Sequence, residues 1–478
     1  MLDINLFREY KGGNPELIRE SQRRRYADVT LVDKVIELDE VWRFTCGKVN
    51  NLKSFTNTIS KVIGQRMKNK VPLGDDTDIS EEDKANYEAL FEKEALEKGS
   101  LDKFSTNQLK KLSTFITEVH INQADEEVKQ KEKERDSVLE KIGNLVHETV
   151  VISDNEDNNG IVRMIGNPRP KVDENGVKCL KHIEIMKKIN GLALEEGTQV
   201  GGGRGYFVLG DLVRMNLALQ NYAIDFLSKR GYTPIYTPFF MTKDQMKKVA
   251  QLSQFDEELY TVTGEGEDKY LIATSEQPIA AFHLDKRFND EELPLKYCGL
   301  STCFRKEAGA HGKDTLGIFR VHQFEKIEQF VVTSPKDNKS WEMFDHMIGN
   351  SEAFYQSLGI PYRVVNIVSG ALNNAAAKKY DLEAWFPGAE EGNEYRELVS
   401  CSNCTDYQTR RLDVKFGKSS NKKQGGEVEH CHMLNSTLTA TSRTLCCICE
   451  NYQTKDGVNV PEVLQPYMGG TKFIPFKN

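Results

Sequence analysis

The stretch Leu300–Phe330 constrains the fold most, because it predicts two strands on either side of a glycine-rich loop. Its flanks, Ser301–Glu307 and Phe319–Phe330, alternate bulky and polar residues with the period of two expected of strands. The loop between them, Ala308–Gly317, holds three glycines, a histidine and charges of both signs. We therefore predict a β-hairpin with a charged, glycine-rich turn.

Two arginines and two carboxylates lie next to this turn: Arg305, Glu307, Arg320 and Glu328. A guanidinium pairs with phosphate oxygens, and a carboxylate accepts hydrogen bonds from N–H donors. The four residues suit a ligand that carries a phosphate together with an amine or an exocyclic amino group. The alternative is a solvated surface hairpin, but converging polar groups are typical of a functional site.

Length and composition indicate a soluble protein of several domains. The chain has 478 residues and a mass of 54.3 kDa, too large for one core, so two or three domains are expected. The N-terminus lacks the apolar run of a signal peptide, and no apolar stretch approaches the length of a membrane span. Ten cysteines, three of them crowded at Cys446, Cys447 and Cys449, suit a reducing cytoplasm better than a disulfide framework.

Two helical stretches in the first third of the chain predict an antiparallel coiled-coil arm. The first, Asp33–Lys70, keeps apolar residues on heptad a and d positions until Pro72 ends it. The second runs from about Ser105 to His147, with apolar residues three and four apart. A helix of about 30 residues reaches about 45 Å. That length exceeds the needs of a small domain, so an arm is favoured over a compact bundle.

Charge is distributed unevenly along this arm, although the whole chain has a net charge of −8. Residues 47–70 hold six basic side chains and no acidic ones, whereas residues 71–100 hold ten acidic side chains and three lysines. A basic helix face on an acidic protein indicates one defined polyanion partner, but an ordinary solvated face gives the same pattern. The acidic segment, about 71–104, is interpreted as a helical or partly disordered insertion near the tip of the arm.

The composition changes at the polar segment Ile152–Gly160, which we interpret as a linker between an N-terminal domain, 1–160, and a second domain, 161–478. Beyond it, Leu209–Ser228 predicts an amphipathic helix. Gly231–Pro238 predicts a strand whose prolines suit a sheet edge or a subunit boundary. The strands and helices that follow show no regular βαβ alternation, which predicts an α+β fold with an antiparallel sheet.

Three further segments carry polar groups that could bind a ligand or take part in catalysis. The segment Thr274–Glu276 ends an apolar strand and could bind an amino group or a small hydroxyl, or cap a helix. Glu397 and Ser400 suit Mg²⁺ and a phosphate. The small residues Ser436–Ser442 let backbone approach a ligand. Arg443 then opens an apolar helix, where a cation is disfavoured unless it serves an anion.

Two other patterns are weaker. Cys401 and Cys404 have the spacing of metal ligands, but no second pair follows at a familiar distance, so zinc is not favoured. The segment Gly201–Gly205 looks like a phosphate loop but lacks the Gly-Lys-Ser/Thr ending. It is therefore interpreted as a flexible turn.

Taken together, these segments resemble the class II aminoacyl-tRNA synthetases. Pro238 and the strand before it resemble motif 1, Phe304–Glu307 with Phe319 and Arg320 resemble motif 2, and the small-residue run ending in Arg443 resembles motif 3. Within the class, the chain resembles seryl-tRNA synthetases of the eukaryotic cytosolic type over nearly its whole length. This narrower resemblance is carried by the arm and by Thr274–Glu276, Val321–Phe324, Glu328, Glu397–Ser400 and Asn435.

The resemblance implies a class II catalytic domain preceded by a tRNA-binding helical hairpin. It implies ATP-dependent ligation of L-serine to the 3′ end of tRNA(Ser) through a seryl-adenylate, and serylation of selenocysteine tRNA where that tRNA is present. It also implies Mg²⁺ bound with ATP, no structural zinc, a homodimer, no membrane partner and a cytoplasmic location.

For the nucleotide, the resemblance implies that Arg305 contacts the α-phosphate and Arg443 the γ-phosphate. Glu307 accepts from the adenine amino group, and Phe324 stacks on the ring. Arg305, Arg443 and Glu397 are the implied catalytic residues, and Glu397 and Ser400 the implied Mg²⁺ ligands. The full ATP site would comprise Arg305, Lys306, Glu307, Val321, His322, Gln323, Phe324, Glu397, Leu398, Val399, Ser400 and Arg443.

For the other substrates, the resemblance implies that Glu328 pairs with the serine ammonium. The implied serine-binding residues are Thr274, Ser275, Glu276, Arg305, Glu328, Asn435 and Thr437. The implied tRNA-binding residues on the first arm helix are Lys53, Lys61, Arg66 and Lys68.

The chain departs from the family pattern in two places. Motif 3 usually carries glycines before a Glu-Arg pair, whereas Ser436–Thr441 has none and Ser442 precedes Arg443. The acidic insertion also exceeds the short bacterial hairpin. Three alternatives stay open: an inactive synthetase relative that binds RNA or a partner, a class II enzyme for another amino acid such as threonine, and a coiled-coil scaffold.

Overall fold

A computed structural model describes the chain apart from residues 77, 173–175, 252–254, 256–257, 265, 308–316, 419–427 and 478. The fold has two compact units. The smaller one, here called the arm unit, comprises Phe7–Pro15 and Val29–Lys141. The larger one, here called the sheet unit, comprises Met1–Leu6, Glu16–Asp28 and Ile142–Asn478. The predicted division between 1–160 and 161–478 stays a prediction.

The arm unit is built on one uninterrupted helix, Thr30–Lys68, close to the predicted Asp33–Lys70. One stripe of the helix is buried, as heptad spacing predicts, but it includes the charged residue Asp39, and Phe44 is 68% exposed outside it. The residues that pack against it form the helix Thr106–Phe115, the π-helical stretch Ile116–Ile121 and the helix Asn122–Leu139.

The second predicted helix ends at Leu139, so its predicted extension to His147 is wrong. Past that point, the backbone N–H groups of Asn144 and His147 donate to the carbonyl groups of Asn374 and Ala377, at 2.7 and 3.0 Å. These long-range bonds replace the bonds that would continue a helix. Apolar spacing persists beyond Leu139 because the same side chains are buried in a non-helical segment.

The acidic segment folds onto the arm helix through its few apolar side chains. Phe91 stacks on Phe55 with ring centroids 4.2 Å apart, and the Tyr87 ring lies 4.6 Å from that of His120. Of the two predicted alternatives, the helical one is therefore observed in the described residues. Its helical turns are Glu81–Ala85, Tyr87–Phe91 and Lys93–Glu97.

The sheet unit is organised around one eight-stranded sheet. Its strands are β1 (Gly160–Ile165), β2 (Thr233–Tyr236), β3 (Leu295–Phe304), β4 (Gln323–Thr333), β5 (Tyr362–Asn366), β6 (Lys378–Trp385), β7 (Tyr395–Asn403) and β8 (His432–Ala440). Their spatial order is β1-β5-β6-β7-β8-β4-β3-β2, and the neighbours are antiparallel except for β3 and β2. The proline-containing strand β2 lies at an edge of the sheet, where its missing N–H groups cost no ladder bond.

Helices cover the sheet and close the main core with it. The helices are Pro15–Arg24, His182–Lys188, Glu195–Gly201, Asp211–Ser228, Lys243–Val249, Glu276–Ala281, Lys339–Ser357, Tyr407–Arg411 and Thr441–Asn451. Short strands pair outside the main sheet at Leu192–Ala193 with Phe207–Val208, Phe240–Thr242 and Thr261–Val262 with Lys269–Leu271, Arg287–Phe288 with Lys415–Phe416, and Gly457–Asn459 with Phe473–Pro475. In the described part of the chain, no helix has the length and apolar character needed to cross a membrane.

The predicted hairpin is present, but its strands end earlier than expected. β3 ends at Phe304 and β4 begins at Gln323, so Arg305, Glu307 and Arg320 lie in the connection and not on strands. Glu307 has a φ of +52°, a left-handed conformation that ends the extended backbone there. The middle of the predicted loop falls outside the described residues.

A buried charge cluster stabilises the arm unit. The Asp39 side chain is 3% exposed, and its carboxylate pairs with Arg8 at 2.7 Å, Arg43 at 3.0 Å and Arg135 at 3.3 Å. Burial alone would raise the pKa of Asp39, but the guanidinium groups, Arg8 foremost, hold it below its ordinary value. Because the folded pKa is lowered, the stabilisation is present above the unfolded value near 3.8 and is lost as the pH falls through the folded value.

We therefore expect Asp39→Asn to lower the free energy of opening of the helix Thr30–Lys68 by about 3 kcal/mol at pH 7, since it removes the buried carboxylate that Arg8, Arg43 and Arg135 share. Hydrogen exchange of that helix measures the loss without assuming two-state unfolding of both units. The difference from the unsubstituted protein should shrink below about pH 3.8. Glu37→Gln is the control, because the Glu37 side chain is 67% exposed and pairs with Lys34 on the same exposed surface. Equal protection of the helix in the two variants would contradict the role of Asp39.

Candidate active site

The predicted site residues centre on one face of the sheet, formed by β3, β4 and β8. Alternate residues of a strand share a face, and so do residues paired across a ladder. Lys326 and Glu328 on β4 pair with Ala440 and Thr437 on β8, and Glu328 also pairs with Gly299 on β3. These side chains therefore point to the same side of the sheet, with Glu328 at the middle.

Glu328 is only 2% exposed and accepts from four donors. They are the Thr274 hydroxyl at 2.6 Å, the Ser275 hydroxyl at 2.8 Å, the Glu276 backbone N–H at 3.3 Å and the Lys326 ammonium at 2.8 Å. All four contact the same oxygen, Oε2. Within the described residues, the other oxygen, Oε1, takes no hydrogen bond or ion pair, so it can accept from a ligand.

The electrostatics of this buried group favour the carboxylate. Burial would raise the pKa of Glu328, but the Lys326 charge and the donors around Oε2 hold it below its ordinary value. The alternative of a solvated surface hairpin is therefore wrong, because the central residue of β4 is a buried, paired carboxylate.

A glycine on β3 makes room for this arrangement. A Cβ at Gly299 would lie 2.8 Å from the Ser275 hydroxyl and 2.7 Å from Cδ1 of Ile279. Both contacts are closer than folded proteins tolerate, so any side chain at position 299 would push away the segment that supplies the donors to Glu328. The glycine is required by close packing rather than by a turn.

Glu276 lies next to Glu328 and begins the short helix Glu276–Ala281. Gln408 donates to its Oε1 at 2.6 Å. Burial, reinforced by the charge of Glu328, raises the pKa of Glu276 to about 7. The two carboxyl groups therefore differ: Glu328 is held in the charged form, whereas Glu276 is poised to accept or donate a hydrogen bond near neutral pH.

β8 brings Asn435 and Thr437 to the same face. The pairing with β4 shifts between Ile327 and Glu328, so β8 contains one extra residue at a β-bulge. Thr437 consequently pairs with Glu328, and Asn435, two residues away, shares its face. The Asn435 amide donates to the Cys404 thiol at 3.5 Å, which holds it towards the segment that also carries Gln408.

A second bulge explains how Glu397 and Ser400, three residues apart, can act together. Asp381 and Glu383 on β6 share a face, and they pair with Ser400 and Glu397 on β7 across a register shift. Ser400 and Glu397 therefore also share a face, although regular alternation would put them on opposite sides.

These two residues fit Mg²⁺. A carboxylate and a hydroxyl are hard oxygen donors, and Mg²⁺ commonly binds one or two protein oxygens together with substrate phosphates. The Glu397 side chain is 42% exposed, which leaves it accessible to further ligands. Desolvation would raise the pKa of Glu397, but the charges of Arg443 and Lys379 hold it below its ordinary value. Among the described residues, no group of three or more His, Cys, Asp or Glu side chains could hold a metal.

A second cluster, formed by the connection between β3 and β4, lies beside the start of the helix Thr441–Asn451. The Arg305 guanidinium donates to the Ala273 carbonyl at 3.3 Å and lies 5.4 Å from the centroid of the Phe324 ring. Arg320 contacts Oε2 of Glu307 at 3.4 Å. The cavity that these residues share is lined by Arg305, Glu307, Phe319, Arg320, Val321, Phe324, Ala440, Ser442 and Arg443.

Arg443 lies in the first turn of its helix, which begins three residues earlier than predicted. Its guanidinium donates to the Phe319 and Glu397 carbonyl groups, each at 3.2 Å, and lies 3.4 Å from the Glu397 carboxylate. A cation in this place opposes the helix dipole. Glu397 offsets that cost, and Arg443 links Glu397 to the cavity that it lines with Arg305 and Glu307.

The remaining predicted nucleotide residues differ in their placement. Val321 lines the cavity, and the His322 carbonyl accepts a hydrogen bond from the Arg305 backbone N–H at 2.9 Å. Leu398 and Val399 are buried in the main core, so their side chains serve packing and only their backbone could face a ligand. Lys306 and Gln323 flank the cavity in sequence but do not line it.

The four predicted tRNA-binding residues differ in their exposure and in their contacts. Lys61 and Lys68 are exposed on the arm helix. Lys53 pairs with Asp125 at 3.1 Å. Arg66 donates to the carbonyl groups of Phe104 and Leu101, at 2.5 and 3.3 Å, and so holds the acidic segment in place. We predict a structural role for Arg66 beside the predicted tRNA contact.

Sequence reasoning missed three residues of the site. Lys326 forms an ion pair with Glu328, and Gln408 donates a hydrogen bond to Glu276. Gly299 leaves the space that Ser275 occupies. Alternation along β4 could have identified Lys326, because it lies two residues before Glu328. No signal in the sequence indicates Gln408 or Gly299, since both depend on long-range contacts.

Comparison with known proteins supports the resemblance. Residues 1–116 match the seryl-tRNA synthetase N-terminal domain, and residues 260–452 match the tRNA synthetase class II core domain (G, H, P, S and T). A serine–tRNA ligase of Helianthus annuus is 52% identical, with 100% of this chain and 99% of the relative covered. A cytoplasmic serine–tRNA ligase of Arabidopsis thaliana is 50% identical, with 100% and 97% covered.

Solved structures give the same result. A cytoplasmic serine–tRNA ligase from Naegleria fowleri, in complex with AMP, is 84% identical, with a TM-score of 0.88 and coverage of 100% and 99%. A seryl-tRNA synthetase from Pyrococcus horikoshii, complexed with ATP, is 35% identical, with a TM-score of 0.80 and full coverage of both chains. The predicted fold class and family are confirmed, and this chain belongs to the seryl-tRNA synthetase family.

Proposed function

We propose that this chain catalyses the ATP-dependent ligation of L-serine to the 3′ end of tRNA(Ser) through a seryl-adenylate, in the cytoplasm. The observation that carries the proposal is the carboxylate of Glu328. It is buried, held in the charged form and open to a ligand at Oε1, and Arg305 lies close by through its hydrogen bond to Ala273, next to Thr274. A serine ammonium is a small cation that fits such an acceptor.

The serine hydroxyl is recognised by the polar groups around Glu328. Glu276, Asn435 and Thr437 surround the same face and can hydrogen-bond a small hydroxyl. Alanine would leave these buried groups unpaired, a loss that can reach about 10⁴-fold in favourable cases. Threonine would need space for an additional methyl group beside closely packed strands.

The chemistry on the nucleotide side is dominated by charge. The serine carboxylate attacks the α-phosphate as pyrophosphate leaves, and both reactants are anions. Arg305 and Arg443 offset the repulsion and orient the phosphates, so positioning and electrostatic stabilisation provide most of the acceleration. When bound through Glu397 and Ser400, Mg²⁺ would add positive charge beside the phosphates. A carboxylate nucleophile needs no general base.

The second half of the reaction requires tRNA. The terminal adenosine hydroxyl of tRNA attacks the seryl-adenylate carbonyl, and AMP leaves. Lys61 and Lys68 on the exposed face of the arm helix provide charge for the phosphate backbone of tRNA. Serylation of selenocysteine tRNA stays a prediction that rests on the resemblance alone.

A homodimer is supported by apolar surface near the motif 1 strand. Tyr236 at the end of the edge strand β2 is 70% exposed. Leu217 and Val213, one turn apart on the helix Asp211–Ser228, are 51% and 39% exposed. Adjacent apolar groups of this kind suit an isologous interface, in which the same surface meets its copy.

The proposed function is tested by serine-dependent ATP–pyrophosphate exchange. We expect exchange with L-serine and with none of the other nineteen amino acids at comparable efficiency. Arg305→Ala should abolish exchange while the protein stays folded, because the α-phosphate loses its main cation. Arg287→Ala is the matched control, since in the described part of the chain the Arg287 guanidinium donates to the Phe416 and Gly417 carbonyl groups, away from Arg305. Full exchange activity of Arg305→Ala would contradict the assignment.

Gly299→Ala tests the packing of the serine pocket. The new Cβ would displace Ser275 and the donors of Glu328, so we expect the KM for serine to rise by about tenfold or more while the KM for ATP changes little. Gly349→Ala is the control, because a Cβ there has no neighbour within 4 Å and lies in the helix Lys339–Ser357. An unchanged KM for serine in Gly299→Ala would contradict this account of the pocket.

The arm is tested by reversing its exposed charges. We expect the double variant Lys61→Glu, Lys68→Glu to raise the KM for tRNA and to flatten the salt dependence of tRNA binding, because fewer phosphates are neutralised. Serine-dependent exchange, which needs no tRNA, should be unchanged. Lys34→Glu, at the other end of the same helix, should have little effect. Unchanged aminoacylation by the double variant would rule out this role of the arm.

A further inference from the structure

The glycine-rich segment Gly201–Gly205 has no part in the function proposed above. Its last glycine, however, lies in close backbone contact with Gly197. It connects the helix Glu195–Gly201 to the strand Phe207–Val208. Gly197 and Gly205 face each other so closely that a Cβ on either would collide with the backbone of the other segment. The segment is a turn, as predicted, in which Gly205 is tightly packed while Gly201, Gly202 and Gly203 are exposed.

This packing places one side chain beside Glu307, which lines the cavity assigned above to the nucleotide. Arg204 adopts a φ of +63°, a left-handed conformation that few arginines take without a compensating contact. Its side chain is 18% exposed, and its Nη1 lies 3.7 Å from Oε2 of Glu307. Two residues after Arg204, the Tyr206 hydroxyl donates to the Gln323 carbonyl at 3.1 Å. This hydrogen bond connects the turn to the start of β4.

Glu307 is thereby held from two sides. Arg204 and Arg320 both contact its Oε2, at 3.7 and 3.4 Å, and the Glu307 side chain is only 9% exposed. Among the described residues, Oε1 takes no hydrogen bond or ion pair. A carboxylate anchored through one oxygen presents the other as a fixed acceptor, which suits an amino group and repels a carbonyl oxygen.

We propose that Arg204 is a positioning residue for nucleotide selection. It acts through Glu307 and keeps Oε1 aimed at the 6-position of the purine, so that a 6-amino purine is accepted and a 6-oxo purine is rejected. The contact between Gly197 and Gly205 is what places Arg204 there. This inference rests on the proposed function, in which Glu307 accepts from the adenine amino group.

The test compares ATP with inosine triphosphate, which carries an oxygen at the 6-position, in serine-dependent pyrophosphate exchange. We expect Arg204→Ala to raise the KM for ATP by about tenfold, to leave the KM for serine unchanged, and to reduce the preference for ATP over inosine triphosphate by a similar factor. Arg204→Lys should restore part of the preference, because it retains the charge but not the forked geometry. Arg214→Ala, which removes an arginine that contacts Asp211, is the control.

A double-mutant cycle separates positioning from a general structural effect. If Arg204 acts through Glu307, the substitution Arg204→Ala should add little in a Glu307→Gln background. Gly205→Ala, which forces the two backbone segments apart, should reproduce the loss of nucleotide preference.

The inference is overturned if Arg204→Ala leaves the nucleotide preference intact, or if its effect is as large in the Glu307→Gln background as in the unsubstituted protein. Failure of the proposed function would look different: the unsubstituted protein itself would show no serine-dependent exchange with ATP. Thermal unfolding of each variant identifies any loss of fold, and the Arg204→Lys comparison still decides the question if Arg204→Ala does not fold.

Discussion

A carboxylate in the middle of a sheet must be paired, and the pairing of Glu328 determines how two segments of this protein meet. Four donors converge on one of its oxygens, from Thr274, Ser275, Glu276 and Lys326. An isolated buried charge would cost several kcal/mol, so the segment Thr274–Glu276 has to lie against β4 for the fold to tolerate it. Among the described residues, the same convergence leaves the second oxygen without a partner, and the proposed function assigns that oxygen to the serine ammonium. In that proposal, stability and recognition depend on the same group.

Two β-bulges determine which of the predicted site residues share a face of the sheet. In β8, one extra residue sets Thr437 opposite Glu328. In β7, one extra residue brings Glu397 and Ser400 to a common face. A regular strand could supply only one member of the second pair to the site. The bulges also join the two halves of the site, because Arg443 follows directly after β8 and contacts Glu397.

Residues whose role depends on local chemistry could be predicted from the sequence. The charged residues around the hairpin, the arm helix with its heptads, and the edge strand with its prolines are of this kind, because charge, periodicity and missing N–H groups are visible in a short segment. Family resemblance extended these patterns to an activity. The comparisons confirm the family and fold, whereas the roles of the individual site residues stay predictions.

Features set by long-range contacts could not be predicted in this way. The second arm helix ends at Leu139 because Asn144 and His147 bond to distant backbone, although the apolar spacing continues. Arg66 looks like any basic surface residue but holds the acidic segment through two carbonyl groups. Gln408 lies far from Glu276 in sequence, and only the fold brings them together.

The central claim is that Glu328 recognises the ammonium group of the amino acid through its open oxygen. Calorimetric binding of a non-hydrolysable seryl-adenylate mimic, compared with the same compound lacking the amine, tests it directly. Loss of the amine should weaken binding to the unsubstituted protein by about 100-fold, corresponding to about 2.7 kcal/mol for a hydrogen bond between charged groups. The same loss should be small in Glu328→Gln, with AMP binding retained as evidence of an intact nucleotide site. An equal loss in both proteins would contradict the account, because the ammonium would then be recognised elsewhere.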